Sequence, residues 1–238
     1  PDQVPLYTSN GTGGGNWNDA STWTKEAGLP DLPAGSRVVI AAGDEVTIDA
    51  NYSSAYTTEI NGTLNTGTTF GNRIGVVSGT GTIYAESGSL PAGYYDTFFS
   101  SSGGTIEYGG TDDYSILSNI PTVNNLKFTG TGIREFANLN IEILGILTID
   151  GPDVVNEHSV DISVVGDLIF AGGTYEANTG KNVFSGSSLQ TISGANSFTG
   201  TDAFYNFEIN NPNDVSLSTA VTIDNSITFT DGLIQNTE

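Results

Sequence analysis

Cysteine and methionine are both absent from the 238 residues, histidine occurs once, and only six residues are basic. Without cysteine no disulfide staples the fold and no thiol serves as nucleophile or ligand. That absence does not fix a compartment, because exported proteins without disulfides also exist. The six bases (Lys25, Arg37, Arg73, Lys127, Arg134, Lys181) face 27 acidic residues, for a net charge of -21. Charged residues make up 14%, well under the roughly 25% of an average soluble chain, so the imbalance comes from scarce bases. Nucleic acid and anionic membrane surfaces are repelled at long range and are excluded as main partners. No apolar run approaches the roughly 18 residues of a membrane span, so no membrane insertion is expected. A chain opening on Pro1 without any Met is what a processed export product or an excised piece presents.

What is present argues for order. Apolar residues reach 37% and aromatics 10%, enough to bury against the entropy of ordering the chain. Thirty-one glycines, nearly twice ordinary usage, with abundant Thr, Ser and Asn, favour many short strands joined by tight turns.

Those strands repeat. Asn140–Gly151 aligns with Asp161–Gly172: Ile141 with Ile162, Ile143 with Val164, Gly145 with Gly166, Leu147 with Leu168, Ile149 with Phe170. Val221, Ile223, Asn225, Ile227 and Phe229 form a third copy, and apolar pairs recur at Ile106/Tyr108, Leu126/Phe128 and Phe207/Ile209, with a weaker match around Leu189/Thr191. Ile60–Leu64 and Val77–Ile83 are earlier members, which makes about nine at spacings of about 18 to 23. Two alternating strands split by a Gly or Asn corner, recurring at that interval, describe one coil of a solenoid. The expected fold is all-β: a right-handed parallel β-helix of about nine coils. An antiparallel sandwich shares the alternation but requires no repeat. One inward column is expected to read Tyr108, Phe128, Ile149, Phe170, Ile209, Phe229. The outward one reads Glu107, Lys127, Thr148, Ile169, Gln190, Glu208, Thr228.

Stacked coils leave open ends that invite polymerisation. Residues 1–35, with Trp17, Trp23, Pro30 and Pro33, are read as an N-terminal cap, and 36–238 as the helix. The last repeat breaks off soon after it begins, so the segment is read as C-terminally truncated relative to a longer parent. End-to-end assembly or homo-oligomerisation through that coil is one expectation.

Asn16–Trp23, then Pro30, Val38–Ile40, Gly43–Asp49 and Ile60–Leu64 together resemble the G8 domain, with its Trp-x5-Trp opening, proline loop and Asn-Gly-Thr-Leu rung. Gly103–Gly110 with Asn124–Phe128, and Ser188–Gly194 with Tyr205–Ile209, resemble repeats of large surface proteins of Bacteroidetes. The resemblance covers most of the chain. It implies a secreted, extracellular adhesin or scaffold placed at the cell surface by the type IX pathway, with other surface molecules, glycans among them, as partners.

Chemistry is sparse. His158 is a single histidine where zinc needs several nitrogen or sulfur ligands, and no nucleophile elbow of the Gly-x-Ser-x-Gly kind occurs. Carboxylates from neighbouring coils, such as Glu142, Asp150 and Asp167, have the residue types for polysaccharide cleavage, with Lys127 and Arg134 as the cations in that region. Calcium favours oxygen-rich loops. Asp112, Asp113, Asp150, Asp153 and Glu157 are the candidate ligands, with Asn210, Asn211, Asn213 and Asp214 a further cluster; solvated acidic turns are the plainer reading. Tyr94, Tyr95 and Tyr114, near Phe98 and Phe99, are candidates for stacking on sugar rings or for a small loop core. The outward column is too irregular for an ice-binding array. The expectation is therefore a cell-adhesion scaffold that is not an enzyme and carries no obligatory cofactor. A carbohydrate-binding or polysaccharide-degrading module and a filament subunit are the alternatives.

Overall fold

The computed structural model describes residues 4–236. It is an all-β parallel solenoid of about ten turns, 46% strand and 3% helix. The chain forms two compact units, Pro1–Glu107 and Tyr108–Glu238.

In the first unit each turn contributes two strands. One sheet runs Trp23–Lys25, Leu6–Ser9, Arg37–Ile40, Thr57–Ile60, Arg73–Ser78, Ala92–Tyr94, and its companion contains Gly14–Asn16, Glu45–Thr47, Thr63–Gly67 and Thr82–Ala85. Leu6–Ser9 pairs parallel with Arg37–Ile40, and Gly14–Asn16 parallel with Glu45–Thr47. Part of residues 1–35 is therefore the first turn itself. The remainder covers it: Trp23–Lys25 lies antiparallel on the outer edge of Leu6–Ser9. Trp17 and Trp23 are buried edge-to-face, with ring centroids 5.3 Å apart. The Trp23 indole N–H donates to the Trp17 carbonyl at 2.9 Å, which satisfies the polar end of a buried aromatic. Tyr7, fully buried, donates its phenol to the Pro30 carbonyl at 2.7 Å and ties down the proline loop.

In the second unit the turns are three-faced. Tyr114–Ile116, Ile133–Phe136, Asp153–Val155 and Thr174–Glu176 stack on one face. Thr122–Val123, Ile141–Ile143, Ile162–Val164, Lys181–Phe184, Phe204–Asn210 and Ile223–Asp231 stack on another. The third contains Asn125–Phe128, Leu147–Ile149, Leu168–Phe170, Gln190–Ser193, Val215–Leu217 and Ile234–Asn236. The registers Ile141↔Ile162, Ile143↔Val164, Leu147↔Leu168 and Ile149↔Phe170 match the sequence repeat residue for residue.

Two expectations about the columns are corrected. Phe128, Ile149 and Phe170 form one inward ladder, but Ile209 and Phe229 belong to another, stacked on Val164 and Phe184. A three-strand turn has two faces where a two-strand reading sees one. Phe229 is also not inward: it is 51% exposed, because among the described residues no further strand lies over Ile223–Asp231. Gln190, expected outward, is buried. The corner before it places Leu189 outside, and Gln190 and Ile192 take the inward positions. Its amide nitrogen donates to the Val164 and Gly166 carbonyls, at 2.9 and 2.6 Å, and its oxygen accepts from the Gly186 N–H and Asn211 Nδ2. A fully partnered amide is tolerated where an unpartnered one costs several kcal/mol, on the order of 2 or more.

The corners follow one rule. A side-chain oxygen in one turn accepts a backbone N–H of the next: Asp113 from Ile133 at 2.7 Å, Asn125 from Ile146 at 2.8 Å, Asn140 from Asp161 at 3.0 Å, Asp167 from Thr191 at 2.7 Å, Asp214 from Leu233 at 2.8 Å. Where the chain leaves the sheet its N–H groups lose their ladder partners, and these carboxylates and amides replace them.

Candidate functional site

The candidate residues do not converge on a catalytic or metal centre. Glu142 lies on Ile141–Ile143, whereas Asp150 and Asp167 sit at opposite ends of the stacked strands Leu147–Ile149 and Leu168–Phe170. Asp167 accepts the Thr191 N–H. Arg134, the cation nearest in sequence, is 0% exposed. Its guanidinium donates to the carbonyls of Gly109 at 2.6 Å, Asp112 at 2.8 Å and Gly110 at 3.1 Å, and lies 4.3 Å over the Tyr114 ring. It is an internal cross-brace. His158 faces Glu135 at 3.5 Å.

Of the calcium candidates, the Asp113 and Asp153 side chains are engaged in the framework. Asp113 accepts the Ile133 N–H, Asp153 accepts the Thr174 hydroxyl at 2.7 Å, and the Asp112 carbonyl faces Arg134. Among the described residues no three His, Asp or Glu side chains are grouped to hold a metal ion. Asp150 and Glu157 join no such group. In the Asn210–Asp214 segment, Asn211 is buried and donates to Ser188, Gln190 and Asp214.

Of the aromatic candidates, Tyr95 is buried, donates to the Pro91 carbonyl at 2.6 Å and stacks on Phe99 at 4.9 Å. Tyr114 donates to the Gly109 carbonyl at 2.6 Å. Tyr95 therefore belongs to a small loop core, and Tyr114, on the strand Tyr114–Ile116, packs against Arg134 and Tyr108. Tyr94 alone is open, at 74% exposure. In register it lies beside Val76.

The structure brings forward residues that the sequence reading passed over. In the first unit, three successive corners form a groove of about 340 Å³, lined by Tyr52, Thr69, Phe70, Arg73, Ser89 and Leu90 among others. Tyr52 and Phe70 meet edge-to-face at 5.7 Å and are 72% and 61% exposed. The corners are tied together beneath them. Asn51 Oδ1 accepts the Phe70 N–H at 2.9 Å, the Tyr52 N–H donates to the Phe70 carbonyl at 3.1 Å, and buried Asn72 accepts the Ser53 N–H at 2.9 Å. The wall is hydrogen-bonded from below and its aromatic surface is exposed. These residues stand outside the alternation that guides strand reading. Their only sequence signal is an aromatic in a Gly/Asn corner, Asn51-Tyr52 and then Phe70-Gly71-Asn72.

A second depression, of about 390 Å³, lies over Glu45, Thr63, Asn65, Thr82, Tyr84, Glu86 and Glu107. Its polar groups answer each other: Asn65 donates to Glu45 at 2.9 Å and Tyr84 to Glu86 at 3.2 Å. The Tyr52–Phe70 groove is the better site. Comparison with family models, curated proteins and solved structures returned no match.

Proposed function

We propose that this chain is a structural and adhesive segment of an extracellular bacterial cell-surface protein, without catalysis of its own. The observation that carries this is the corner rule. At five corners an acidic or amide side chain, of the kind an enzyme or a calcium module would gather, instead holds one turn to the next. Rigid stacking presents a fixed surface, and the exposed aromatics of the first unit give it something to hold with. The G8-like opening and the Bacteroidetes-like repeats support export by the type IX pathway and a place at the cell surface.

A carbohydrate-binding module is the second reading, favoured by the Tyr52–Phe70 wall. The test is incubation with a polysaccharide panel, with calcium and with EDTA, scored for retention and for new reducing ends. Retention without new ends, unchanged by EDTA, is expected. New ends would overturn the non-catalytic reading, and a chain that retains nothing would overturn the adhesive one.

A further inference from the structure

We propose that the groove between Tyr52, Phe70 and Arg73 binds a carboxylate-bearing sugar, a hexuronate within a short saccharide chain. The proposal rests on the adhesive reading above.

Tyr52 holds a φ of +63°, a left-handed conformation that a bulky residue adopts at a cost and that Asn or Gly takes readily. Such outliers persist where the surroundings enforce them, and they cluster at ligand clamps. The fold makes little use of this ring. It is exposed, and its phenol has no hydrogen-bond partner among the described residues. Gly71 is its counterpart. At φ +72°, a Cβ built there would lie 2.6 Å from two carbons of the Tyr52 ring, so the ring occupies the space a side chain would fill. With Phe70 edge-on at 78°, the two rings make a two-sided wall that suits the C–H face of a pyranose.

The charge defines the ligand further. Lys25 pairs with Asp31, Lys181 with Glu208 and Asp161, Arg134 is enclosed by carbonyls, and Lys127 is engaged. Arg37 and Arg73 alone have no side-chain partner among the described residues, and Arg73 lines the groove. An exposed, unpaired guanidinium beside an aromatic wall, in a chain of net charge -21, matches a carboxylate, which it engages in two parallel hydrogen bonds. The Tyr52 phenol and the Ser89 hydroxyl are left for sugar hydroxyls. Long polyanions are disfavoured by the surrounding charge, but that field is screened beyond about 8 Å at physiological salt, so a short chain is admitted.

The test is calorimetric titration of the whole chain with trigalacturonate, its carboxyl-reduced neutral counterpart and triglutamate. Trigalacturonate should bind about tenfold more tightly than either of the others. Phe70→Ala should weaken it about tenfold, Arg73→Gln should remove the preference for the acidic sugar, and Arg37→Gln should change nothing. Tyr52→Asn should also weaken binding about tenfold, while its melting midpoint holds or rises. A midpoint several degrees lower would make the ring a structural element and overturn its role as a clamp. Equal affinity for both sugars, equal binding of triglutamate, undiminished binding in Phe70→Ala and Arg73→Gln, or no binding of either sugar would overturn the proposal. If the polysaccharide panel is still retained in the last case, the adhesive reading survives without it.

Discussion

At the scale of single residues, the polar groups inside the solenoid do more than the charges on it. Arg134 is buried without a carboxylate, and its positive charge is distributed over several carbonyls and the Tyr114 ring. Arg134→Ala would open a cavity and take one donor each from the Gly109, Gly110 and Asp112 carbonyls, the first two of which keep the Tyr114 hydroxyl and the Thr131 N–H, and should cost about 2 to 4 kcal/mol in urea unfolding. Arg134→Lys should recover part of that, since an ammonium reaches fewer of the acceptors. Asp44 gives a pH signature. Burial raises its carboxyl pKa, but the Ser9 hydroxyl and the Gly11 and Gly13 N–H groups outweigh it and hold the group below its usual value. A depressed folded pKa means its contribution is present above the ordinary carboxylate pKa of about 4 and is lost as pH falls through the lower folded value. Asp44→Asn should flatten the acid limb of a stability–pH curve and leave neutral pH less affected. Glu208 is lowered by Lys181 and Thr230, and it adds to the same limb.

The strands and corners show which parts were legible in advance. Alternating apolar residues at a repeating interval gave away the parallel stacking, and the register Ile149↔Phe170 follows from aligning the copies. The first turn was hidden because Gly14–Asn16 has no apolar residue to alternate. It pairs through its backbone alone, and a Cβ at Gly14 would collide with the Glu45 carbonyl at 2.0 Å. The third face was hidden because its inward column is not uniformly apolar: Arg134, Val154 and Tyr175 stack in register, each a single buried position between more exposed neighbours. Gln190 was misread because it is polar, and nothing local announces that its amide replaces a corner's backbone partners. The groove was invisible for the opposite reason: exposed aromatics in turns obey no periodicity. Stability measurements on corner variants address these joints. Asn125→Ala and Asn140→Ala should each cost about 1 kcal/mol by orphaning an N–H, whereas Asp113→Asn, which keeps the acceptor, should be near neutral with or without calcium. Gly166→Ala should cost more, since its Cβ would sit 2.3 Å from the Gly145 carbonyl.

At the scale of the whole molecule, a net charge of -21 over 10,639 Å² of surface is a self-repelling field that favours solubility and opposes compactness. The thermal midpoint should therefore rise as sodium chloride is raised from about 10 mM to about 150 mM, over which the screening length shortens from about 30 to about 8 Å. A flat salt response would show that the acids are already neutralised by their local partners.

The corner oxygens also bear on how the protein ages. Asn125 and Asn140 serve their neighbours as acceptors, through Oδ1. Hydrolysis of the amide to aspartate would leave each a carboxylate oxygen that accepts the same N–H, so by that route the protein keeps these joints while growing more acidic, whereas isoaspartate, with one more carbon in the main chain, would displace the acceptor. Asn156, Gln190 and Asn211 donate as well as accept, and they are buried. The amides whose loss would break the stack are thus the ones that water reaches least.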